Sequence, residues 1–528
     1  MVKRSIISLT VLMLSFAGII IRLHRIIIGD IIRIKAEKQN FYTLKIARTR
    51  GKIYDCRNVP LLGKKTKILA AVIPNTKTLD ALLKIIPDSL IEDVKNKFKS
   101  SLPFLIEINK KINCEGIDCF EIPIRYNKTT LAPHILGHIS KDYKGVCGIE
   151  RAFNKYLSGE TDIEIKYEID ATGKLIRNDS YLKNNINQSG VVLHIDKRIQ
   201  VLAEQIANKY ILKGAVIITE VPNCEIRACA SLPGFLPDGV QYCLKDKNSP
   251  LINRAFCQYN LGSIFKLVTA AAALESNFDE NQIYNCQGVH TLENDIEIRC
   301  FHGIPHGEIK IDSAIALSCN GFFAKISKEI NPDFFIEFSK NLGFGKAIQF
   351  AKHMTSSEGN LPTKEDLLDE KKITMFSFGQ GCLMATPVQI SSLINAICCG
   401  GIYSKPKLVK SLINDNMELT DLEQSLPKRV FKPNTAIKLK NYMKKAILEG
   451  TAKRGKPETV TASAKTSTAE TGILGDNGRI NQSWFAGFFP FENPKYCIVV
   501  LSENDDGGAR NCGPVFKELA DKINSMAL

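Results

Sequence analysis

Seventeen consecutive residues without a charge, Ser5 to Ile21 (SIISLTVLMLSFAGIII), follow the pair Lys3-Arg4 at the start of the chain. About 17–25 apolar residues are needed to cross a bilayer as a helix, so the run reaches the short end of that range. A buried core helix would explain the composition alone. The position behind two basic residues, with apolar character resuming at Ile26-Ile27-Ile28, is better explained by insertion into a membrane. No small-x-small site follows, which disfavours a cleaved signal peptide. Arg22, Arg25, Arg33 and Lys35 lie on the far side of the run, so charge alone does not orient it.

The 528 residues suggest two to four domains, and 44% hydrophobic with 24% charged side chains suits folded, core-forming domains. A net charge of +15 invites a nucleic-acid reading, but its distribution argues against one. Residues 1–195 hold 32 basic and 19 acidic side chains, while residues 196–528 hold 38 and 36. The basic excess travels with the membrane segment, and no RNA-binding aromatic motif or zinc-finger spacing accompanies it. No nucleic-acid partner is expected.

Sixteen cysteines lack the dense spacing of a disulfide scaffold. Cys286, Cys300, His302 and His306 could supply four zinc ligands, a Cys286–Cys300 disulfide, or two free thiols in a loop. The Cys–Cys gap matches no standard finger, so the sequence assigns no metal and no cofactor, and leaves the redox state open.

Residues 1–30 read as a short tail and transmembrane helix, and residues 31–190 as a mixed, partly elongated module. The Asn-rich stretch from Asn178 to Gly190 reads as a linker. Residues 191–528 then form one α/β domain. Its signals are strands at 191–195, 215–220, 484–489 and 496–501, with helices at 200–211 and 265–274.

A serine three residues before a lysine shares its helix face, and an unprotonated lysine can take the hydroxyl proton to make a nucleophile. Four Ser-x-x-Lys matches occur, at Ser180, Ser263, Ser404 and Ser425. Pro406 and Pro427 interrupt two of them, and Ser180 lies in the Asn-rich stretch. Only Ser263-Ile264-Phe265-Lys266 opens an apolar helix, with its serine at the positive end of the helix dipole. Ser263 could equally be a simple N-cap. Ser318-Cys319-Asn320 adds a hydroxyl and an amide. Lys465-Thr466-Ser467-Thr468, before the last strands, adds a cation flanked by hydroxyls suited to a carboxylate.

In this order the three motifs resemble the penicilloyl-serine transferases, and most closely the class B penicillin-binding proteins, monofunctional peptidoglycan D,D-transpeptidases. The resemblance extends to Arg50–Leu62 (RGKIYDCRNVPLL), Gly145–Gly159 (GVCGIERAFNKYLSG), and the segments NRAFCQYNLGSIFKLVTAAAALE and FSFGQGCLMATPVQI. It implies an α/β (α+β) serine transpeptidase/β-lactamase-like domain, with an antiparallel sheet between helical layers, behind a pedestal and a membrane helix. Ser263 would attack the penultimate D-Ala carbonyl of a stem peptide, with Lys266 as general base and Ser318 relaying a proton to the leaving amine. Asn320 would bind the peptide amide. Lys465 would supply positive charge, and Thr466 and Thr468 would hold the substrate carboxylate. Backbone N–H groups of Ser263 and Thr468 would form the oxyanion hole. β-Lactams would acylate Ser263, and the catalytic domain would lie outside the cell membrane. A polytopic membrane glycosyltransferase would be the partner, because no glycan-polymerising domain precedes the transpeptidase region.

Two departures stand out. Ser467 occupies a position where the family usually has Gly, and its hydroxyl is expected to project toward the nucleophile's cleft, either tolerated there or narrowing it. Cys56 and Arg57 replace Arg and Asn in the segment after the membrane helix, with Asn58 suited to a left-handed turn in place of Gly. The competing functions are a catalytically impaired scaffold for a partner synthase, supported only by Ser467, and a β-lactamase or β-lactam sensor, which the large N-terminal module disfavours.

Overall fold

The computed structural model describes residues 2–28, 41–63, 65–100, 102–127, 130–158, 162–170, 174–184, 188–293, 295–475, 478–503 and 509–526. The start of the 31–190 module, residues 31–40, lies outside them.

Helix α1 (Val2–Ile28) carries the uncharged run. Its stretch Lys3–Arg25 is long and apolar enough to cross a membrane, and none of it is buried. The chain separates into two compact units. The first comprises residues 1–50, 63–125 and 158–187, and the second residues 51–62, 126–157 and 188–528. The units therefore interleave along the sequence instead of meeting at one boundary near residue 190.

The first unit holds two three-stranded sheets, built from 41–48, 162–169 and 175–184, and from 65–72, 104–108 and 117–124. Val72, Leu82, Val94 and Ile106 form the core between the second sheet and two helices over 76–83 and 88–98. The Asn-rich stretch expected to be a linker is in strand as far as Asn184, paired antiparallel with 163–169. It is the edge of its sheet, where one row of ladder bonds suffices and polar residues are tolerated. Residues 185–187 of that stretch lie outside the described residues.

The second unit is organised by a five-stranded antiparallel sheet of β1 (Gly214–Glu220), β2 (Glu225–Leu232), β3 (Ser463–Gly475), β4 (Gly478–Phe489) and β5 (Tyr496–Glu503), in the order β2-β1-β5-β4-β3. Side chains alternate across each strand. Trp484, Ala486, Phe488, Val499 and Leu501 face one core, with α3 (Lys266–Glu275), α5 (Asn320–Ser327) and α6 (Pro387–Cys398). Phe485, Phe489, Ile498 and Val500 face the other, with α2 (Lys197–Tyr210) and α8 (Cys512–Ser525). Two covered faces explain the unbroken apolar runs at 484–489 and 496–501. Helices α4 (Ile311–Leu317) and α7 (Pro433–Leu448) belong to the same unit.

Segment 51–62 belongs to this second unit. Lys52–Tyr54 pairs in parallel with 190–192, and Ile53, Leu61 and Leu62 join a core with Val191, Ile217 and Ile226. Asp55 is buried, and the N–H groups of Arg57 and Val59 donate to its Oδ1 at 2.9 and 2.8 Å. Between them Asn58 adopts φ +61°, the left-handed turn expected of it.

Candidate active site

Ser263 sits in a tight 3-10 turn, Gly262–Phe265, that runs directly into α3. Gly262 has φ +62°, which Gly adopts without strain. The apolar residues behind the turn anchor it: Phe265 packs against Phe335, Phe344 and Phe376. The other three serines with the same spacing are not on helices. Ser180 is in the strand 175–184, and Ser404 and Ser425 lie in irregular segments.

One helical turn on, Lys266 is completely buried. Its Nζ donates to the Ser318 carbonyl at 2.7 Å, to Asn320 Oδ1 at 2.7 Å and to Ser318 Oγ at 3.3 Å. Burial brings its pKa down to about 8, with the neighbouring thiols Cys319 and Cys300 opposing that shift. Among the described residues, the Ser263 hydroxyl makes no side-chain hydrogen bond, so no bond joins it to Lys266 in this state. Unliganded catalytic hydrogen bonds are often long and close only around substrate.

Ser318 ends α4 in the left-handed conformation, φ +58°, which turns the chain so that α5 can start at Asn320. Its hydroxyl also accepts from Lys465 Nζ at 3.0 Å. Ser318 Oγ is thus shared by two lysine amines, one from α3 and one from β3. Lys465 is fully buried too, and burial with repulsion from Lys266 lowers its pKa well below the ordinary range. Asn320 is held at both ends, accepting from Lys266 and donating from Nδ2 to the Arg299 carbonyl at 2.8 Å. Thr466 Oγ1 donates to Thr451 Oγ1 at 2.8 Å, and Thr468 pairs with Ser483 across β3 and β4.

Ser467 does not stand in open space. It is buried, and its Oγ donates to the Leu261 carbonyl at 2.7 Å, immediately before the nucleophile's turn. A Cβ at Gly262 would come within 2.4 Å of that oxygen, so glycine at 262 and serine at 467 fit one another. The hydroxyl expected to project toward the cleft instead bonds the backbone just before the turn and is absorbed as a tie beneath it.

Sequence reasoning missed a second set of ties. Trp484 Nε1 donates to the Asn260 carbonyl at 2.9 Å, and the Asn260 N–H donates to Gln482 Oε1 at 2.6 Å. Glu503 Oε1 accepts from Tyr259 at 2.8 Å and from Arg254 at 2.9 Å. The approach to Ser263 is thereby fastened to β4 and β5. These pairs are more than 200 residues apart, and no local pattern announces them. The candidate zinc ligands also rearrange. Cys286, Cys300 and His306 converge, but His302 lies against Phe301 and is replaced by Cys319.

A nucleophile at a helix start, two buried amines sharing one hydroxyl, and a fixed amide beside them can carry out acyl transfer. The penicillin binding protein transpeptidase domain matches residues 214–521. The chain is similar to peptidoglycan D,D-transpeptidase FtsI of Buchnera aphidicola subsp. Schizaphis graminum, 28% identical over 437 residues covering 79% of this chain and 72% of that protein. It is also similar to stage V sporulation protein D of Bacillus subtilis, 26% identical over 514 residues covering 90% and 77%. The fold is that of penicillin binding protein 3 from Mycobacterium tuberculosis complexed with aztreonam, with TM-score 0.69 and 18% identity over 92% of this chain and 97% of the other. A matched region of this extent, enclosing Ser263, Ser318 and Lys465, places the chain in the penicillin binding protein transpeptidase domain family.

Proposed function

We propose that the chain is a membrane-anchored peptidoglycan D,D-transpeptidase that cross-links stem peptides through an acyl ester on Ser263. The observation that carries this reading is the Ser318 hydroxyl held between Lys266 and Lys465 beside the turn that presents Ser263. The names of the relatives support the substrate class. A structural neighbour is solved in complex with aztreonam, which supports β-lactam binding by this chain.

Two ammonium groups buried this close repel, so near neutral pH the pair holds fewer than two protons. A substrate carboxylate arriving at Thr466 and Thr468 draws the remaining proton onto Lys465 and leaves Lys266 as the neutral base. The Ser263 hydroxyl then gives its proton to Lys266 while its Oγ attacks the penultimate D-Ala carbonyl carbon. The oxyanion is received by N–H groups of the turn at Ser263 and of β3 at Thr468. β3 is the edge of its sheet, where alternate N–H groups face outward and a peptide can lie alongside. The C–N bond to terminal D-Ala breaks, and Ser318 passes its proton to the departing amine while taking the one Lys266 received from Ser263, so both end the step as they began it. An amine of a second stem peptide attacks the ester, forms the new amide, and returns Ser263 to its hydroxyl form.

Asn320 orients the stem-peptide amide. Helix α1 anchors the chain in a single pass, with the transpeptidase unit on the outer face of the membrane. A polytopic glycosyltransferase supplies the glycan strands.

Fluorescent penicillin and a D-Ala-D-Ala stem peptide test the reading. Wild type is expected to form a covalent adduct on Ser263 and to release D-Ala, whereas Ser263→Ala does neither. Because Lys266 is shifted down, its basic form appears as the pH rises through about 8. The acylation rate should therefore climb across that range and flatten above it, and Lys266→Arg should abolish acylation at every pH. Equal labelling of wild type and Ser263→Ala would overturn the assignment.

A further inference from the structure

One short turn touches both sides of the cleft, and none of the three motifs includes it. Gly450, Thr451 and Ala452 follow α7 and precede β3. Thr466, one of the two hydroxyls proposed to hold the substrate carboxylate, is buried, and its Oγ1 lies 2.8 Å from Thr451 Oγ1. The Thr451 N–H donates to the Ala316 carbonyl at 3.0 Å, two residues before Ser318.

The backbone gives this turn little freedom. The N–H groups of Gly450 and Ala452 both donate to the Ala446 carbonyl at 3.1 Å, which closes the end of α7. A Cβ at Gly450 would come within 2.1 Å of the Ala316 carbonyl oxygen, so glycine lets the exit from α7 approach α4 this closely. Ala452 is buried in a core with Ala446, Ala464 and Phe485. Between these two fixed neighbours, Thr451 is exposed.

A hydroxyl has a single proton to donate and lone pairs with which to accept. In the unliganded site Thr466 gives its proton to Thr451, so it has none to offer an arriving carboxylate. The Thr451 hydroxyl is free to rotate, since among the described residues its own proton engages no other group. Once Thr451 turns and donates to Thr466 Oγ1, the Thr466 proton is released toward the carboxylate. The bond received from Thr451 then polarises Thr466 and strengthens it as a donor.

We propose that Thr451 is a positioning residue for the substrate carboxylate, acting through Thr466 as a hydroxyl pair that reverses direction when the carboxylate binds. Its side chain sets Thr466 on β3, and its backbone sets the same turn against α4 just before Ser318. One residue thereby registers the carboxylate side of the cleft against the side that protonates the leaving amine. This role rests on the transpeptidase reading and deepens it. Preference for a terminal carboxylate over a terminal amide depends on a threonine outside the Lys465–Thr468 motif.

The test uses the full chain in detergent and two stem peptides, one ending in D-Ala-D-Ala as the free acid and one as its amide. Wild type should release the terminal residue from the acid in clear preference to the amide. Thr451→Val keeps the shape and the backbone bond to Ala316 and removes only the hydroxyl. Its KM for the acid should rise about fivefold while kcat changes by less than about twofold. Because kcat/KM for the amide should stay unchanged, the preference for the acid should fall by the same factor. Thr451→Ser should restore both KM and preference. Equal losses on acid and amide would show a merely structural turn and overturn the proposal. An unchanged KM in Thr451→Val, or a wild type indifferent to amidation, would overturn it as well. Wild type inert toward both peptides and fluorescent penicillin would instead overturn the transpeptidase reading, and this role with it.

Discussion

At position 467 one hydroxyl does what a bare glycine could not. Ser467 Oγ holds the Leu261 carbonyl, and Leu261 precedes the glycine that turns the chain into the nucleophile's helix. Ser467→Gly removes a buried hydrogen bond, leaves the carbonyl without that donor, and adds backbone freedom to β3. A loss of about 1–3 kcal/mol in stability is expected, read by denaturant unfolding. Fluorescent-penicillin acylation should slow because the turn is looser, even though the cleft gains space. Faster acylation would show that the serine obstructs the cleft. At this scale the sequence was most informative where chemistry demands fixed spacing. Lys266, Ser318, Asn320 and Lys465 are joined by hydrogen bonds, and Ser263 lies one turn before Lys266 without a bond to it. Cys319 was legible as the middle of a motif but not as a partner of Cys286 and Cys300. The fold, not the spacing, closes that triangle.

Among the elements, the β3–β4 pair controls where Lys465 stands. Ala464 lies opposite Gly487, and a Cβ at Gly487 would meet the Ser463 carbonyl at 2.3 Å and the Ala464 Cβ at 2.7 Å. Backbone moves little to admit such an atom. Gly487→Ala should therefore push the strands apart at Lys465, costing about 1–3 kcal/mol and most of the acylation rate. Thermal unfolding and fluorescent-penicillin labelling would register both effects. The long apolar elements were readable to within a few residues. The helix read at 200–211 is Lys197–Tyr210, and that at 265–274 is Lys266–Glu275 behind a 3-10 turn. Strand β2 (EIRACASL) was not read, since its small and charged residues give a weak pattern, and pairing with β1 supplies what propensity lacks. The polar strand 175–184 was missed for the same reason.

For the whole molecule, the chain's interleaving decides which truncations survive. Ile53, Leu61, Leu62, Ile135, Leu136, Ile149 and Leu157 share a core with Val191, Leu193, Ile195 and Ile217. A fragment of residues 191–528 lacks the first seven and exposes apolar surface on the rest. It is expected to aggregate or to label weakly with fluorescent penicillin. A fragment of residues 41–528 loses the exposed apolar helix and keeps the core. It should label at a rate close to that of the full chain, and without detergent. Sedimentation and labelling of the two fragments side by side would check this, and comparable behaviour would show the upstream segments to be dispensable.

That shared core also bears on hybrids assembled from related enzymes. A crossover at residue 190 would join one parent's strand 52–54 to another parent's strand 190–193, mismatching a parallel ladder and the side chains beneath it. Donor blocks would inherit a consistent interior only if they carried 51–62 and 126–157 along with the catalytic region, so exchange among such chains should favour long transfers over short ones.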